Sequence, residues 1–285
     1  MTIRARVAGC SAVAAMCLLW FSARVVAQDE IPGAGQTAKA AAPIDLTGYW
    51  VAVVTEDWRY RMLTAPKGDY YSLPLTPEAR KVADTWDAAK DNAAGRQCLS
   101  YGAAALMRQP ARVHITWDND NALKVEVDAG KQTRMMNFGS PRPPSGEPTL
   151  QGFSVAHWET PQLTRFYTGK ISTQDTNTPG FPGIVNGRGP QPPDTRKLGG
   201  TMKVVTTHLK AGYLRNNGVP YSANAVLTEF YDVHKNGNDD YLVITSIVDD
   251  PQYLYVPWVV TNQFRREPDG SKWDPEPCEL ILPSK

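Results

Sequence analysis

The chemistry-bearing residues of this chain are few and scattered. Four histidines are present, His114, His157, His208 and His234. Glu56-Asp57-Trp58-Arg59-Tyr60-Arg61-Met62 is the densest polar and aromatic cluster. A carboxylate held in an apolar pocket beside Trp is suited to general acid or base work. Asp57 paired with His208 is the dyad this suggests, with His157 and Tyr213 as further candidate catalytic groups. The bland reading of the same cluster is an exposed ion-pair loop at the rim of a fold. Arg215, two residues after Tyr213, could clamp a carboxylate at two points while the phenol donates a hydrogen bond. Trp58, Arg61, His114, Trp117, Trp158 and Arg215 form the candidate ligand-binding set. His114, His157 and His208 on neighbouring strands could hold zinc with one open position. No HxH or HxxxH spacing supports that, so no metal is assigned. P-loop, GxGxxG, CxxC, HExxH and GxSxG motifs are all missing, which disfavours nucleotide chemistry and the common hydrolase designs; no cofactor is expected.

The elements that must position these residues read as strands. Between Thr201 and Arg266, three runs rich in Val, Ile, Thr and Tyr are separated by Asn-Gly and Asp-Pro turn signals. Ala225, Leu227, Glu229, Tyr231 and Val233 alternate with Val226, Thr228, Phe230, Asp232 and His234. Asn236-Gly237 supplies the positive φ of a tight hairpin. Leu242, Ile244, Ser246 and Val248 share a face on the return run, and Trp258, Val260, Asn262 and Phe264 share one on the third. The faces are mixed, as in a strand whose inner side lines a cavity. Earlier runs at 112–118, 122–128, 132–138 and 151–158 alternate in the same way. The expected fold is mainly β, an antiparallel barrel with one flanking helix. That helix is placed at 76–92, with Thr76 as N-cap, Pro77 at the first position, and Ala79, Val82, Ala83 and Trp86 on one face.

The ends and the interruptions bound the rest. Residues 1–27 have a basic start (Arg4, Arg6), a short apolar run from Ala12 to Phe21, and small residues at Val25-Val26-Ala27, the pattern of a secretory signal. Its removal would leave 27 basic against 29 acidic residues. A near-neutral chain gives no electrostatic case for nucleic acid or an anionic surface, and no membrane span would remain. The expected location is periplasmic or secreted. Cys98 and Cys278 would then be the two remaining cysteines, in a compartment that favours a disulfide; two separate buried thiols are the alternative. Residues 28–45 read as a flexible leader and 46–285 as a single barrel domain. Residues 160–199, rich in Pro and Gly, read as a lid-like or passive insertion in a hairpin.

Gly48-Tyr49-Trp50 resembles the Gly-x-Trp that opens the first strand of lipocalin-like barrels, where the Trp plugs the barrel floor. More broadly, VVTEDWRYRM, GDYYSLPL, YGAAALMRQP, RVHITWDND, QGFSVAHWE and TTHLKAGYLRNNGVPYS are similar to a family of exported bacterial proteins, over nearly all of residues 44–280. The resemblance implies a lipocalin-like barrel and carries no activity with it. Together these features lead to one expectation: an exported barrel holding a small apolar or amphipathic molecule. The alternative is a cofactor-independent lyase, isomerase or hydrolase using His and Asp in the same cavity. Oligomeric state is not legible.

Overall fold

The structure is a computed structural model that describes residues 36–160 and 199–280. Nine strands close into a barrel: β1 (Gly48–Val53), β2 (Arg112–Asn119), β3 (Ala122–Val127), β4 (Gln132–Phe138), β5 (Phe153–Glu159), β6 (Thr201–Thr207), β9 (Val226–Asn236), β10 (Asp239–Asp249) and β11 (Trp258–Glu267). Around the ring the order is β1-β11-β10-β9-β6-β5-β4-β3-β2, with β2 returning to β1. Every neighbouring pair is antiparallel except β4 and β5, which run parallel. That exception is a matter of parity. Strand direction must be restored on going once round a closed ring, so antiparallel junctions come in even numbers and a ninth strand forces a parallel one. The expected wholly antiparallel barrel is corrected at this joint.

The alternation read in the sequence is the alternation of the wall. Leu227, Glu229 and Tyr231 of β9, Leu242, Ile244, Ser246 and Val248 of β10, and Trp258, Asn262 and Phe264 of β11 are all buried. Trp50, Ile115, Val125, Met136, Ala156, Met202, Val204, Tyr231, Ile244 and Phe264 have no exposed surface at all. A side chain lining a void wide enough for water would keep some. The middle of the barrel is therefore a filled core, and space for a ligand has to be sought at the ends. Trp50 donates its indole N–H to the Leu46 carbonyl at 2.9 Å and lies under the Arg266 guanidinium at 4.1 Å.

The registers place Val53, Arg112, Thr207, Val226, Asp249 and Trp258 at one end of the barrel. That end carries a cap built from residues 54–111, 208–225 and 250–257. Within the cap run α1 (Trp58–Met62), α2 (Pro77–Asp84), α3 (Ala88–Ala93), a 3-10 turn (Gln97–Tyr101), α4 (Ala103–Leu106), and a two-stranded hairpin of β7 (Gly212–Tyr213) and β8 (Pro220–Tyr221). The single helix expected over 76–92 is two helices. Thr76 caps α2, accepting from the Ala79 N–H, and Asp87 caps α3 by accepting from Ala89 and Lys90. A capping Asp in mid-run favours a new helix start over continuation. Ala79 and Ala83 are buried as expected, whereas Val82 is exposed.

Between the helices, Trp86 packs onto Gly218, whose φ is +79° and whose missing Cβ would sit about 2 Å from the indole. Gly218→Ala should cost more than about 1 kcal/mol in urea unfolding, from the left-handed backbone and the clash together. A neutral result would mean the indole has room to move.

Residues 36–45, expected as part of a flexible leader, are docked instead. Ala38 is buried, its N–H donates to Asn121 Oδ1, and its carbonyl accepts from the Trp158 indole. Residues 1–35 and nearly all of the 160–199 insertion lie outside the described residues. Cys98 and Cys278 form a disulfide that ties the 3-10 turn of the cap to the C-terminal tail.

Candidate functional site

The capped end concentrates buried positive charge. Three local structures deliver three arginines to it. Helix α4 lies across the barrel mouth, with Leu106 and the following Met107 in the barrel core and Ala103 and Ala104 in the separate core of the cap. Its run of alanines lets the backbone approach closely, and Arg108 follows directly after it. Helix α1 presents Arg61, whose Nε donates to the Arg108 carbonyl at 3.0 Å. The β7–β8 hairpin turns through Arg215 to Gly218, closed by the Gly218 N–H donating to the Arg215 carbonyl. Side-chain exposures of Arg61, Arg108 and Arg215 are 0, 7 and 2 %.

Two carboxylates face this trio. Arg108 Nη2 donates to Asp57 Oδ2 at 3.0 Å, and Arg215 Nη2 lies 3.6 Å from the same oxygen. Arg61 Nη1 donates to Glu56 at 2.9 Å. Asp57 holds a left-handed backbone (φ 53°) at the N-terminal end of α1, yet its carboxylate makes no capping bond. It turns instead to the guanidiniums. Two aromatic faces complete the cradle: Arg215 stacks over Tyr60 at 4.0 Å, and Arg108 lies over Trp258 at 4.9 Å. Arg215 also donates to the Tyr71 carbonyl and the Ser72 hydroxyl.

The cluster remains short of acceptors. Arg61 Nη2 and Arg215 Nε are buried without a partner. Burial holds all three guanidiniums below the usual arginine range; for Arg215, burial and then the neighbouring Arg108 push it down to about 10. Each cation is thus less comfortable here than in water, and a further anion would relieve all three. Solvent reaches the cluster through its carboxylates, since Asp57 and Glu56 are 27 and 39 % exposed. An incoming anion would meet the arginines where Asp57 now sits.

Of the residues singled out in the sequence, Asp57, Trp58, Arg61 and Arg215 come together here, Trp58 as an exposed side chain on α1. The others lie elsewhere. His208 is exposed just beyond β6, with a left-handed backbone, its ring bonded to Thr207 and edge-on to Phe153. It is not a cavity residue, and the Asp57–His208 dyad does not form. The alternation continued past the end of β6, where the chain turns; that is why the extrapolated face failed. His157 sits on the outer wall beside Glu159. His114, also outside, stacks on Tyr49 at 4.0 Å and pairs with Glu126. Trp117 and Trp158 pack with Phe138 at the opposite end of the barrel. Tyr213 donates to Asp91 at 2.8 Å and faces Arg96, away from Arg215. Among the described residues no group of His, Cys, Asp or Glu is arranged to hold a metal ion.

Arg108, Tyr60 and Trp258 were not anticipated in this role. The signal for Arg108 was present in Tyr101-Gly-Ala-Ala-Ala-Leu-Met-Arg108, a lone cation ending a small, apolar run. A second polar group was also missed: Arg134, Ser154, Thr206 and Glu229 are joined by hydrogen bonds inside the barrel. It lies in the filled core, where all four side chains are buried and join neighbouring strands.

Comparison with known protein families, curated proteins and solved structures finds no match to this chain.

Proposed function

We propose that this is an exported binding protein that takes a small amphipathic organic anion at the capped end of a lipocalin-like barrel. The observation that carries the reading is the cradle of three buried arginines with donor atoms left unpartnered, reached from solvent past Asp57. A carboxylate head group would take the bonds that Asp57 now accepts from Arg108 and lies near on Arg215. An apolar body would rest on the exposed side chains of α1. The alternative of acid–base catalysis with histidine has less support, because no imidazole contacts Asp57. The barrel centre, first expected to hold the ligand, is filled, so binding is assigned to its mouth.

The test is thermal shift and calorimetry with decanoate against decanol, which share an apolar body and differ in the head group. Decanoate should stabilise and decanol should not. Arg215→Met should weaken decanoate by about 1.5–3 kcal/mol, the scale of a hydrogen bond to a charged group. Asp57→Asn should tighten it, because the protein's own carboxylate no longer competes. Equal shifts from acid and alcohol, or weaker binding in Asp57→Asn, would reduce the cluster to a structural ion-pair network.

A further inference from the structure

Asp57 occupies the arginine cradle in the free protein, and its place there says what a replacement must offer. Burial dominates at Arg61, Arg108 and Arg215, and the anion that offsets it at all three is Asp57; Glu56 acts on Arg61 and Arg108. The Asp57 carboxylate thus marks the point on which the three guanidiniums converge. A head group entering there competes with a carboxylate tethered to the protein, at the high effective concentration that tethering gives. A second carboxylate from solution takes over the same bonds and gains nothing at the head. To displace Asp57 well, a ligand must do more than copy it.

Displacing Asp57 leaves charge and donors uncovered. Asp57 is 27 % exposed, so its carboxylate can swing into water, where solvent screens it. Glu56 then stands alone against three buried cations, an excess of two positive charges. The nearby Asp69 does not alter that balance, being paired with Arg59 at 3.1 Å. Arg108 Nη2 and Arg215 Nη2 lose the oxygen they share, while Arg61 Nη2 and Arg215 Nε are already buried without a partner. These donors arrive from three separate segments: α1, the stretch after α4, and the β7–β8 turn. A carboxylate offers two oxygens in one plane and a single charge. A phosphate monoester offers three terminal oxygens set tetrahedrally and nearly two charges, and Arg forks suit it.

We infer that the head group this cradle selects is a phosphate monoester dianion, carried on an apolar body. The inference rests on the reading of the cradle as an anion site and adds the class of anion. Two phosphate oxygens would replace Asp57 on Arg108 and Arg215. The third would meet a donor that the free protein leaves unpartnered. Decanoate is then the minimal occupant, binding through its body and only matching Asp57 at the head.

Calorimetry with decyl phosphate, decyl sulfate and decanoate, each below its micelle concentration, and with inorganic phosphate tests it. At about pH 8 decyl phosphate should bind about tenfold or more tighter than decanoate, with the tetrahedral but singly charged sulfate between them. Lowering the pH to about 5 returns the second proton to the phosphate, whose second pKa is about 6. The sulfate does not titrate in that range, so the ratio of the two affinities isolates this proton. That ratio should fall to within about threefold of one. Arg61→Met should cut the preference for decyl phosphate over decanoate by about tenfold or more. Equal binding of decyl phosphate and decanoate, with decanol inert, overturns the dianion and leaves the anion site standing. A phosphate-to-sulfate ratio unmoved by pH also overturns the dianion. Binding of none of the anions overturns both readings. Inorganic phosphate held as tightly as decyl phosphate would support the dianion and overturn the apolar body.

Discussion

Replacing both Cys98 and Cys278 by Ala should lower the unfolding free energy by about 2–5 kcal/mol, toward the top of that range. The bond spans 180 residues, from the 3-10 turn of the cap to the tail beyond β11, so nearly the whole barrel lies inside the loop it closes. In the chain-entropy account the denatured state loses most freedom when the loop is long. Native contacts at the junction are lost with it. Tyr101 Oη donates to the Glu279 carbonyl and accepts from the Glu279 N–H, and Glu276 pairs with Asp128 and Ala129. The tail is tied to the cap by the disulfide and the Tyr101 bonds, and to the turn between β3 and β4 through Glu276. Urea denaturation of wild type and the double variant gives the number, and thiol titration of denatured, unreduced protein should find no free thiol from this pair. A loss under about 1 kcal/mol would mean the reduced chain already keeps cap and tail together when unfolded.

The cap was the harder part to read, and the physical reason is local. Strands announce themselves by a period of two, so β2, β3, β9, β10 and β11 were legible down to which residues share a face, and the mixed faces left the inward one undecided. Cap segments are short: α1 has five residues and α4 four, too few for a helical period to show. Their positions are set by long-range bonds such as Arg61 to the Arg108 carbonyl and Arg215 to the Tyr71 carbonyl, which no window of sequence contains. Asp57, Arg61 and Arg215 were found by residue type and not by any foreseen proximity. Extrapolating a strand past its end misplaced His208. The polar residues on the inner faces, Glu229 above all, were visible as mixed faces and were taken to line a cavity. They line one another instead.

Glu229→Leu and Arg134→Met, made singly, should each destabilise the protein by about 3–5 kcal/mol, and made together should restore most of the loss. Both side chains are fully buried. Arg134 donates through Nη1 and Nη2 to the two Glu229 oxygens at 3.1 and 2.6 Å, and Nη2 also reaches Thr206, which bonds Ser154 at 2.8 Å. Burial alone would lower the Arg134 pKa; Glu229 beside it outweighs that and raises it. Remove either partner and the other charge is stranded in a filled core. Remove both, with apolar groups of similar size, and no desolvation penalty is left to offset. The network also explains why a core would keep such a pair. It joins β4, β5, β6 and β9 across the barrel's parallel joint, where β4 and β5 are paired at only three positions, Met136, Asn137 and Phe138 against Ser154, Val155 and Ala156. The polar bonds hold this short joint in register, helped by Asn137 Nδ2 donating to the Ser154 carbonyl. The apolar double variant should therefore regain stability in urea while its β5 amides exchange hydrogen faster than those of β10. Single variants within about 1 kcal/mol of wild type would show the pair to be worth little. Unchanged β5 exchange in the double variant would show that the joint is held by its backbone alone.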